Sequence, residues 1–473
     1  MKYIAVFDVG TTAVKGALIT EQAEILIEKE IEIITYVEKN NKTQNPKQWY
    51  DAFCQISKMF WKSYMPQQVV SIVLSGQMQD LILINNENQP ICNAILYSDS
   101  RAVEQAEEIL RRLKKEEIYA VTGNDINGSL PIAKLLWQKQ YQKEQYKHIK
   151  KILFSSKDYI VLQLTDRFIS DTITCSTVGC MNIYKKQWEK DFLKTLDISW
   201  ELFPRIAYAD EIAANVTKKA ESETGYIQGT KVYVGMGDAG ASTLASGIYQ
   251  KGEYNIQLGT SSWVAGISNT MIKKEGIFHL AGITKDTYIN VVPFLNGGNV
   301  YQWATDIFAE GNYGMMEKLL QKAEKSDVLC LPYFAGERFP VLDEKASGMF
   351  FGIKEKTTKA DLAKSVLEGC AFSIRQGIEA MGEPIQKISM IGGGARSKIW
   401  CQIMADILQK TIIVYEDSTF LAIKALAMFV MKKQEKNHIQ YVVYEPKKEL
   451  KLFYEKKYHK FLQLYPTIST IQV

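Results

Sequence analysis

A strand–turn–strand pattern with a glycine turn occurs twice in this chain of 473 residues. The first copy joins the apolar stretches 3–7 and 13–19 through Gly-Thr-Thr at 10–12, and the second has Gly-Thr-Ser at 259–261 between apolar stretches. Glycine permits a tight turn, and the hydroxyl residues supply hydrogen-bonding groups there. One such unit in each half of the chain indicates a duplicated architecture.

Long amphipathic segments alternate with the predicted strands. The clearest of these predicted helices cover residues 45–64, 100–113, 359–381 and 398–408. This alternation is typical of the α/β class, and the chain is longer than one core usually organises. A polar break at 248–253 predicts one domain over residues 1–247 and another over residues 248–473. Since no low-complexity linker separates them, we expect ligands to bind in the cleft between the domains.

Composition excludes several classes of protein. Lys and Arg number 57 against 53 Asp and Glu, and the net charge of +4 is too small to indicate nucleic-acid binding. The seven Cys form no C-x-x-C pair and there are four His, so no zinc site is expected. At the N-terminus an acid follows a short apolar run, which predicts a cytoplasmic protein without a signal peptide or membrane span. A homodimer is the default assembly.

Residues 235–240 match the G-x-G-x-x-G pattern of dinucleotide-binding proteins and follow a predicted strand. A dinucleotide site fails here because an acid should stand about 20 residues further on, where this chain has Leu258 and Gly259. Asp238 would also place a negative charge inside the pyrophosphate cradle. At the start of a predicted helix over 239–246, Asp238 is instead a candidate general base or an N-cap, and the helix dipole favours its ionised form.

Two other features suit phosphate groups, although the chain has no G-x-x-x-x-G-K-[ST] loop. Asp8 ends the first predicted strand directly before the Gly-Thr-Thr turn, where it can partner Mg²⁺ or cap the turn. The glycines at 392–394 connect a predicted strand to a helix and offer backbone N–H groups to a phosphate or a flat ring. A purely structural turn is the alternative at that position.

Several longer motifs carry a resemblance to a known family. They lie at residues 129–137, 336–340, 348–353, 361–368 and 392–406. On these motifs the chain resembles the FGGY carbohydrate kinases, an actin-like-fold family, from Asp8 to about Met428. The resemblance implies an α/β protein with two actin-like (ribonuclease H-like) ATPase domains. It also implies an ATP-dependent kinase that uses Mg²⁺ and phosphorylates a small sugar.

The resemblance also assigns roles to individual residues. It implies that Asp238 is the catalytic base and that Asp8 lies next to Mg²⁺. The positions that it assigns to ATP binding are Gly10, Thr11, Thr12, Gly259, Thr260, Ser261, Gly392, Gly393, Gly394 and Ala395. The positions that it assigns to the sugar, besides Asp238, are Gln77, Met78, Gln79, Asp99 and Arg101.

Three departures from the family pattern affect the expected ligand contacts. Gln79 stands where xylulokinases usually have His, and Ala239 follows the catalytic Asp where Asn is usual. Both changes fall in the sugar pocket and leave the phosphate-binding residues unchanged. In the segment 418–425, Phe420 and Lys424 replace small residues and can alter the adenine contacts.

The expected reaction is phosphorylation of a ketopentose such as D-xylulose by Mg-ATP. Gluconate, another sugar acid or a polyol is the alternative within the class. Gluconate would need a cation for its carboxylate, and Arg101 and Lys15 are the residues that stand out. From a different class, an actin-like ATPase or a non-catalytic sugar-sensing pseudokinase would share the fold without phosphorylating a sugar.

Overall fold

The computed structural model describes residues 2–39, 41–323, 325–415, 420–432 and 441–469. These residues form two compact units. The first contains the chain up to Ala245 together with His279–Asp286 and residues 420–432, and the second contains the remainder. The sequence predicts a single boundary after residue 247. The compact units differ from that division because the chain re-enters the first unit twice.

Strands and helices alternate along the described chain. The strands are β1 (Tyr3–Val9), β2 (Ala13–Thr20), β3 (Ile25–Glu32), β4 (Tyr36–Glu38), β5 (Asn41–Gln44), β6 (Val69–Gly76), β7 (Ile82–Ile84), β8 (Ala94–Ile95), β9 (Lys151–Leu153), β10 (Ile169–Asp171), β11 (Met181–Asn182), β12 (Gln187–Trp188), β13 (Arg205–Ala207), β14 (Ile212–Asn215), β15 (Lys231–Tyr233), β16 (Met236–Gly237), β17 (Glu253–Leu258), β18 (Ser262–Ser268), β19 (Phe278–Ala281), β20 (Tyr288–Phe294), β21 (Leu329–Leu331), β22 (Met349–Phe351), β23 (Lys387–Ile391), β24 (Ile412–Tyr415) and β25 (Tyr441–Tyr444).

The helices fill the intervals between these strands. They are α1 (Pro46–Phe60), α2 (Val103–Arg112), α3 (Lys115–Thr122), α4 (Pro131–Tyr141), α5 (Lys143–Lys147), α6 (Ser156–Thr165), α7 (Thr172–Ser176), α8 (Lys190–Thr195), α9 (Lys218–Thr224), α10 (Asp238–Ala245), α11 (Gly298–Ala309), α12 (Tyr313–Leu320), α13 (Lys359–Met381), α14 (Lys398–Leu408), α15 (Leu421–Val430) and α16 (Lys451–Ile468). Short 3₁₀ turns cover Pro66–Gln68, Trp200–Leu202, Gly393–Arg396 and Lys448–Leu450. In this described part of the chain, no helix combines the length and apolar character needed to cross a bilayer.

The predicted helices at 359–381 and 398–408 coincide with α13 and α14. Helix α13 has a clear start and end, because Thr358 and Asp361 form a capping box and Gly382 closes it in the left-handed conformation, with φ 68°. The other two predicted helices are shorter in the structure, as α1 and α2. Helix α1 begins after Asn45, whose side chain accepts a hydrogen bond from the Lys47 N–H.

The first unit is built on a sheet with the strand order β14-β15-β6-β1-β2-β3, in which β16 also pairs with β6. Strands β1 and β2 form an antiparallel hairpin around the Gly-Thr-Thr turn, whereas β6 runs parallel to β1, β15 and β16. Phe7 and Val9 of β1 are fully buried in one core cluster with Trp49 and Phe53 of α1. The strand is thereby anchored in the core up to the residue before its turn.

Helix α15 belongs to this first unit, although it comes late in the sequence. It packs against α10, β1 and β6. Its buried residues include Ile423, Leu426, Ala427 and Val430, whose spacing of three or four residues places them along one helical face. The helix therefore supports α10, whose first residue is Asp238.

The second unit repeats the arrangement of a hairpin with a parallel neighbour. Strands β17 and β18 are antiparallel around the Gly-Thr-Ser turn, and β23 runs parallel to β17. Its sheet continues in the order β20-β18-β17-β23-β24-β25. The duplicated strand–turn–strand unit predicted from the sequence is thus confirmed in both units.

Two glycines, one before and one after β15, allow a test of how tightly the backbone that leads to Asp238 is packed. Gly235 has φ +70°, and a Cβ atom added there would lie 2.0 Å from the Leu74 carbonyl oxygen. Gly229 has φ +91°, but an added Cβ would meet nothing within 4 Å. Both substitutions to Ala cost backbone strain, and only the first forces a clash.

We therefore expect Gly235→Ala to lower the free energy of unfolding by roughly 1–3 kcal/mol more than Gly229→Ala, because overpacking adds to the strain. Denaturant unfolding followed by circular dichroism measures the difference. Equal losses in the two variants would show that the approach of Gly235 to Leu74 is not tight in solution.

Candidate active site

The carboxyl ends of three neighbouring parallel strands meet in the first unit. In the register of β1 with β6, Asp8 lies opposite Ser75. In the register of β16 with β6, Gly237 lies opposite Gly76, and Asp238 follows as the first residue of α10. Pairing with one shared strand therefore brings Asp8 and Asp238, which are far apart in the sequence, to the same edge of the sheet.

Close packing around Gly237 sets the position of Asp238. A Cβ atom added to Gly237 would lie 2.2 Å from the Met78 sulfur and 2.8 Å from the Thr174 hydroxyl oxygen. Glycine is what lets the backbone approach these side chains so closely. Met78, predicted to contact the sugar, is itself buried and packs beside the peptide that precedes Asp238.

The surroundings raise the pKa of Asp238 to about 7. Dense protein around the carboxyl is the largest cause, since loss of water disfavours the charged form, and the negative charge of Asp8 is the next. Asp171 raises the pKa further, whereas the backbone N–H groups of Ala239 and Asp238 lower it. The Asp238 side chain nevertheless has exposed surface, and contact with water reduces the effect of burial on its pKa. Such a carboxyl is suited to accept a proton near neutral pH.

Asp8 is a partly buried carboxyl with one oxygen already engaged. The Ser75 hydroxyl donates to Asp8 Oδ1 at 2.8 Å. Burial raises the pKa of Asp8, while the Ser75 hydrogen bond and the positive charge of Lys15, which lies opposite Asp8 in the hairpin, lower it. Because Asp8 also raises the pKa of Asp238, a cation at this edge would reduce the repulsion between the two carboxylates.

These two carboxyls fit Mg²⁺ in the way that it is usually held beside a nucleotide, with one or two carboxylates and the phosphates as ligands. In the described ranges, no cluster of three or more His, Cys, Asp or Glu is arranged to hold a metal. A magnesium ion here would therefore take most of its ligands from ATP and water, with Asp8 as the protein partner.

A buried ion-pair network lies behind this edge of the sheet. Lys157 Nζ is 2.6 Å from Asp158 Oδ1 and 2.9 Å from Asp171 Oδ2, and all three side chains are fully buried. Asp171 also accepts hydrogen bonds from two backbone N–H groups at the start of α7. Buried charges persist when they are paired and hydrogen-bonded in this way. The network fixes the Asp171 charge that acts on Asp238.

Two glutamines brace the Gly-Thr-Thr turn. Within the turn, the Gly10 N–H donates to the Ala13 carbonyl at 3.0 Å. The Thr11 hydroxyl donates to Gln77 Oε1 at 2.7 Å, and Gln44 Nε2 donates to the Thr11 carbonyl at 2.7 Å. Gln77 Nε2 donates in turn to Gln44 Oε1 at 3.0 Å. The predicted phosphate loop is therefore held from inside the unit.

Gln77 has no exposed surface, and both ends of its side-chain amide are engaged in this brace. It supports the first predicted phosphate loop, and its direct contact with a sugar stays a prediction. Thr12, by contrast, is exposed at the tip of the turn, where a ligand can reach it. Gln44 was not among the residues predicted from the sequence, because nothing local marks it as a partner of the turn.

Asp99 and Arg101 of the second predicted sugar segment bind each other. Arg101 Nε donates to Asp99 Oδ1 at 3.0 Å and Nη2 donates to Oδ2 at 2.7 Å, while the Lys42 N–H donates to Oδ2 at 2.7 Å. Burial raises the pKa of Asp99, but these hydrogen bonds outweigh it and hold the pKa below its usual value. Arg101 also covers the Trp137 ring, with Cζ 5.0 Å from its centroid.

Gln79, which is predicted to contact the sugar, has a left-handed backbone conformation, with φ 62°.

In the second unit, the Gly-Thr-Ser turn rests on the start of α11. The Gly298 N–H donates to the Gly259 carbonyl at 2.7 Å, and the Asn299 N–H donates to the Thr260 carbonyl at 3.0 Å. A Cβ added to Gly298 would lie 2.5 Å from the Gly259 carbonyl oxygen, so this contact requires glycine. Ser261 is exposed at the end of the turn. The Gly-Gly pair at 297–298, not predicted from the sequence, is a signal that could have revealed this support.

The triple-glycine turn lies next to the Gly-Thr-Ser hairpin. Gly392 has φ +98°, and a Cβ added there would lie 2.6 Å from the Leu258 carbonyl oxygen. Gly393 is open, with nothing within 4 Å of an added Cβ, whereas Gly394 packs against Leu258 and Trp400. The turn does not lead directly into α14 as the sequence predicts. A 3₁₀ turn that includes Ala395 intervenes, and Ser397 caps α14 by accepting from the Trp400 N–H.

The unusual segment 418–425 contributes to α15. Residues 418 and 419 lie outside the described residues. Phe420 is buried directly before the helix, and Lys424 lies within it. Helix α15 packs on β1 and on α10, which begins at Asp238, so these two residues lie in the first unit. An effect of them on adenine contacts remains a prediction.

Comparison with known proteins gives this site its class. The model of the N-terminal domain of the FGGY family of carbohydrate kinases matches residues 3–245, and the model of its C-terminal domain matches residues 254–423. These two matches define the class of the protein, a phosphotransferase that acts on carbohydrates. The chain belongs to the FGGY family of carbohydrate kinases.

Individual relatives agree with this assignment. The chain is 28% identical to a xylulose kinase of Staphylococcus xylosus over 444 residues, which cover 92% of each protein. It is 26% identical to a gluconokinase of Bacillus subtilis, over 91% of this chain and 88% of the relative. The solved xylulose kinase of Rhodospirillum rubrum has a similar fold, with a TM-score of 0.90, 22% identity and 99% of each chain covered.

These comparisons confirm the predicted kinase family, the α/β fold of actin-like type and the enzyme class. The roles of individual residues and the sugar remain predictions. The structure brings Asp8, Asp238, Met78 and the first turn together in the first unit, and it brings the Gly-Thr-Ser and triple-glycine turns together in the second.

The raised pKa of Asp238 predicts a pH dependence. A base works only when ionised, so kcat/KM for the sugar should fall about tenfold per pH unit as the pH drops below about 7. Asp8, Asp171 and Asp80 are the acidic neighbours whose charges act on this region. Initial rates at saturating Mg-ATP between pH 5 and 9 would show this acidic limb of the pH profile of kcat/KM. A limb centred near 4, the ordinary value for Asp, would contradict the assignment.

Proposed function

We propose that this protein transfers the γ-phosphoryl group of Mg-ATP to a hydroxyl of a small sugar, and that the acceptor is a ketopentose such as D-xylulose. One observation carries the proposal. Asp238, an exposed carboxyl with a pKa raised to about 7, lies at the same sheet edge as Asp8 and a glycine turn suited to phosphate. Family membership supports ATP as the phosphoryl donor.

Asp238 acts as the general base in this proposal. The acceptor hydroxyl oxygen forms a bond to the γ-phosphorus while the bond from that phosphorus to the β–γ bridging oxygen breaks, and ADP leaves. The hydroxyl proton passes to Asp238. The position of Asp238 at the first residue of α10 aids the return to the ionised form, because the helix N-terminus favours negative charge.

The remaining residues position the two substrates. Magnesium supplied with ATP would offset the phosphate charge, and Asp8 would hold it directly or through water. Each predicted ATP-binding turn has an exposed residue, namely Thr12, Ser261 or Gly393. The backbone N–H groups of these turns can donate hydrogen bonds to phosphate oxygens, or the turns can face the nucleoside. Binding and alignment of both substrates supply most of the rate enhancement in phosphoryl transfer.

The charges near the predicted sugar residues favour a neutral acceptor over gluconate. Arg101 is already neutralised by its paired contacts with Asp99. Lys15 faces Asp8 across the hairpin and lowers its pKa. A carboxylate on the sugar would therefore meet Asp8 and Asp238 without a spare cation among these residues. Relatives that are named xylulose kinase also support a ketopentose.

A substrate panel tests the proposal directly. ADP release should rise well above basal ATP hydrolysis with D-xylulose, and less with polyols or with gluconate. No stimulation by any ketose, polyol or aldonate would overturn the kinase function in favour of an ATPase or a sugar-sensing protein. Faster turnover with gluconate than with D-xylulose would overturn the ketopentose assignment alone.

Asp238→Ala should lower kcat for sugar phosphorylation by roughly 10²–10⁴-fold, the usual contribution of a general base. ATP should still bind, because the backbone turns remain. Asp51→Ala is the matched control, since Asp51 is an exposed aspartate of the same unit on helix α1. Coupled assays of ADP release and calorimetric titration with ATP provide the two measurements. Retention of more than a few per cent of the wild-type kcat would exclude Asp238 as the base.

A further inference from the structure

Lys134 is a lysine with no exposed surface in the middle of α4. It interrupts the apolar run Pro-Ile-Ala-Lys-Leu-Leu-Trp at 131–137. Its ammonium group donates to the carbonyl oxygen of Gln79 at 3.1 Å and to that of Leu96 at 2.7 Å. Lysine is rarely buried unless it is paired, because loss of water is costly for an ammonium ion. A buried lysine on two carbonyls therefore calls for a compensating acid.

Asp80 is that acid. It is also fully buried, and its Oδ1 accepts a hydrogen bond from the Tyr97 N–H at 3.1 Å. Its Oδ2 has no hydrogen-bond partner of ordinary distance and angle among the described residues. A buried carboxyl with such an oxygen depends on the charges around it to offset the loss of water.

Lys134 and Asp80 depend on each other electrostatically. Burial raises the pKa of Asp80 well above its usual value, and Lys134, the Tyr97 N–H and the Gln77 side chain oppose that shift while Asp238 adds to it. Burial likewise lowers the pKa of Lys134 to about 8, opposed by Asp80 and Asp99 and reinforced by Arg101. The charge of each group therefore opposes the effect of burial on the other.

The contacts of this pair join the two segments that are predicted to bind the sugar. In one segment, the Lys134 ammonium group donates to the Gln79 carbonyl. At the start of the other, it donates to the Leu96 carbonyl, and the N–H of the next residue, Tyr97, donates to Asp80. The Gln79 backbone has φ 62°, a left-handed conformation that a residue other than glycine keeps only when its surroundings impose it. The Lys134 contact is made on the carbonyl of that strained residue.

We propose that Lys134 and Asp80 are positioning residues for the sugar, which together hold Gln79 and the segment 96–101 in the arrangement that recognises it. The inference rests on the proposed sugar kinase function. Neither residue needs to touch the sugar, since both are buried. Loss of the pair should weaken sugar binding and leave ATP binding unchanged, because the phosphate turns are held by other contacts.

Lys134→Met removes the ammonium group at nearly constant volume. We expect the KM for the sugar to rise roughly 10–100-fold, the range that follows from a small misplacement of binding groups, and the KM for ATP to stay within about twofold. Lys134→Met should also lower the melting temperature, because Asp80 then remains buried without its cation. Lys139→Met is the matched control, since Lys139 lies on the same helix and pairs with the exposed Asp197.

The double variant Lys134→Met/Asp80→Asn separates positioning from general stability. Asn can still accept from the Tyr97 N–H, and no buried charge is left unpaired, so the melting temperature should return towards that of the wild type. The KM for the sugar should stay high, because Gln79 and Leu96 still lack their donor. A KM that recovers together with stability, or that never rises in Lys134→Met, overturns the inference.

Failure of the double variant to fold would also count against the inference, because the pair would then be a requirement of the whole unit. The wild-type enzyme distinguishes this result from failure of the proposed function. If the wild type phosphorylates no sugar, the kinase proposal falls. If the wild type is active and the variants keep its sugar KM, only the positioning role of Lys134 and Asp80 falls.

Discussion

Parallel pairing with β6 is the constraint on which the site of this protein depends. Strand β1 pairs with one side of β6 and β16 pairs with its other side. Asp8 and Asp238 therefore lie at the same edge of the sheet. Parallel strands place their carboxyl ends together, and side chains that follow them converge there. The glycine at 237 and the helix α15 then fix how closely α10 approaches that edge. Chemistry at Asp238 follows from this backbone geometry.

Buried charge is the recurring cost of this arrangement, and each instance is compensated locally. Asp171 is matched by Lys157, Asp99 by Arg101 and Asp80 by Lys134. Asp238 differs from these acids, since its charged neighbours, Asp8 and Asp171, are themselves acids and raise its pKa. Perturbed carboxyls of this kind are typical of functional sites. The contrast explains why one acid is suited to proton transfer while the others hold the structure.

The glycine turns are the predicted binding sites for phosphate. In each unit a hairpin turn is supported by a neighbouring element, by Gln44 and Gln77 in the first and by the start of α11 in the second. The predicted phosphate binding would require backbone N–H groups that are presented rigidly, because a loose loop would lose entropy when it binds. A similar turn sequence thus appears twice, but it is stabilised by glutamine side chains in the first unit and by backbone N–H groups in the second.

The sequence by itself determined the α/β class, the duplicated hairpin, the kinase family and the candidate base Asp238, because these depend on local patterns and motifs. The helices at 359–381 and 398–408 were predictable to the residue, since capping residues mark their ends. Only the tertiary structure decided the raised pKa of Asp238, the bracing role of Gln77 and the pairing of Lys134 with Asp80. These properties arise from burial and from contacts between distant segments, which no local spacing encodes.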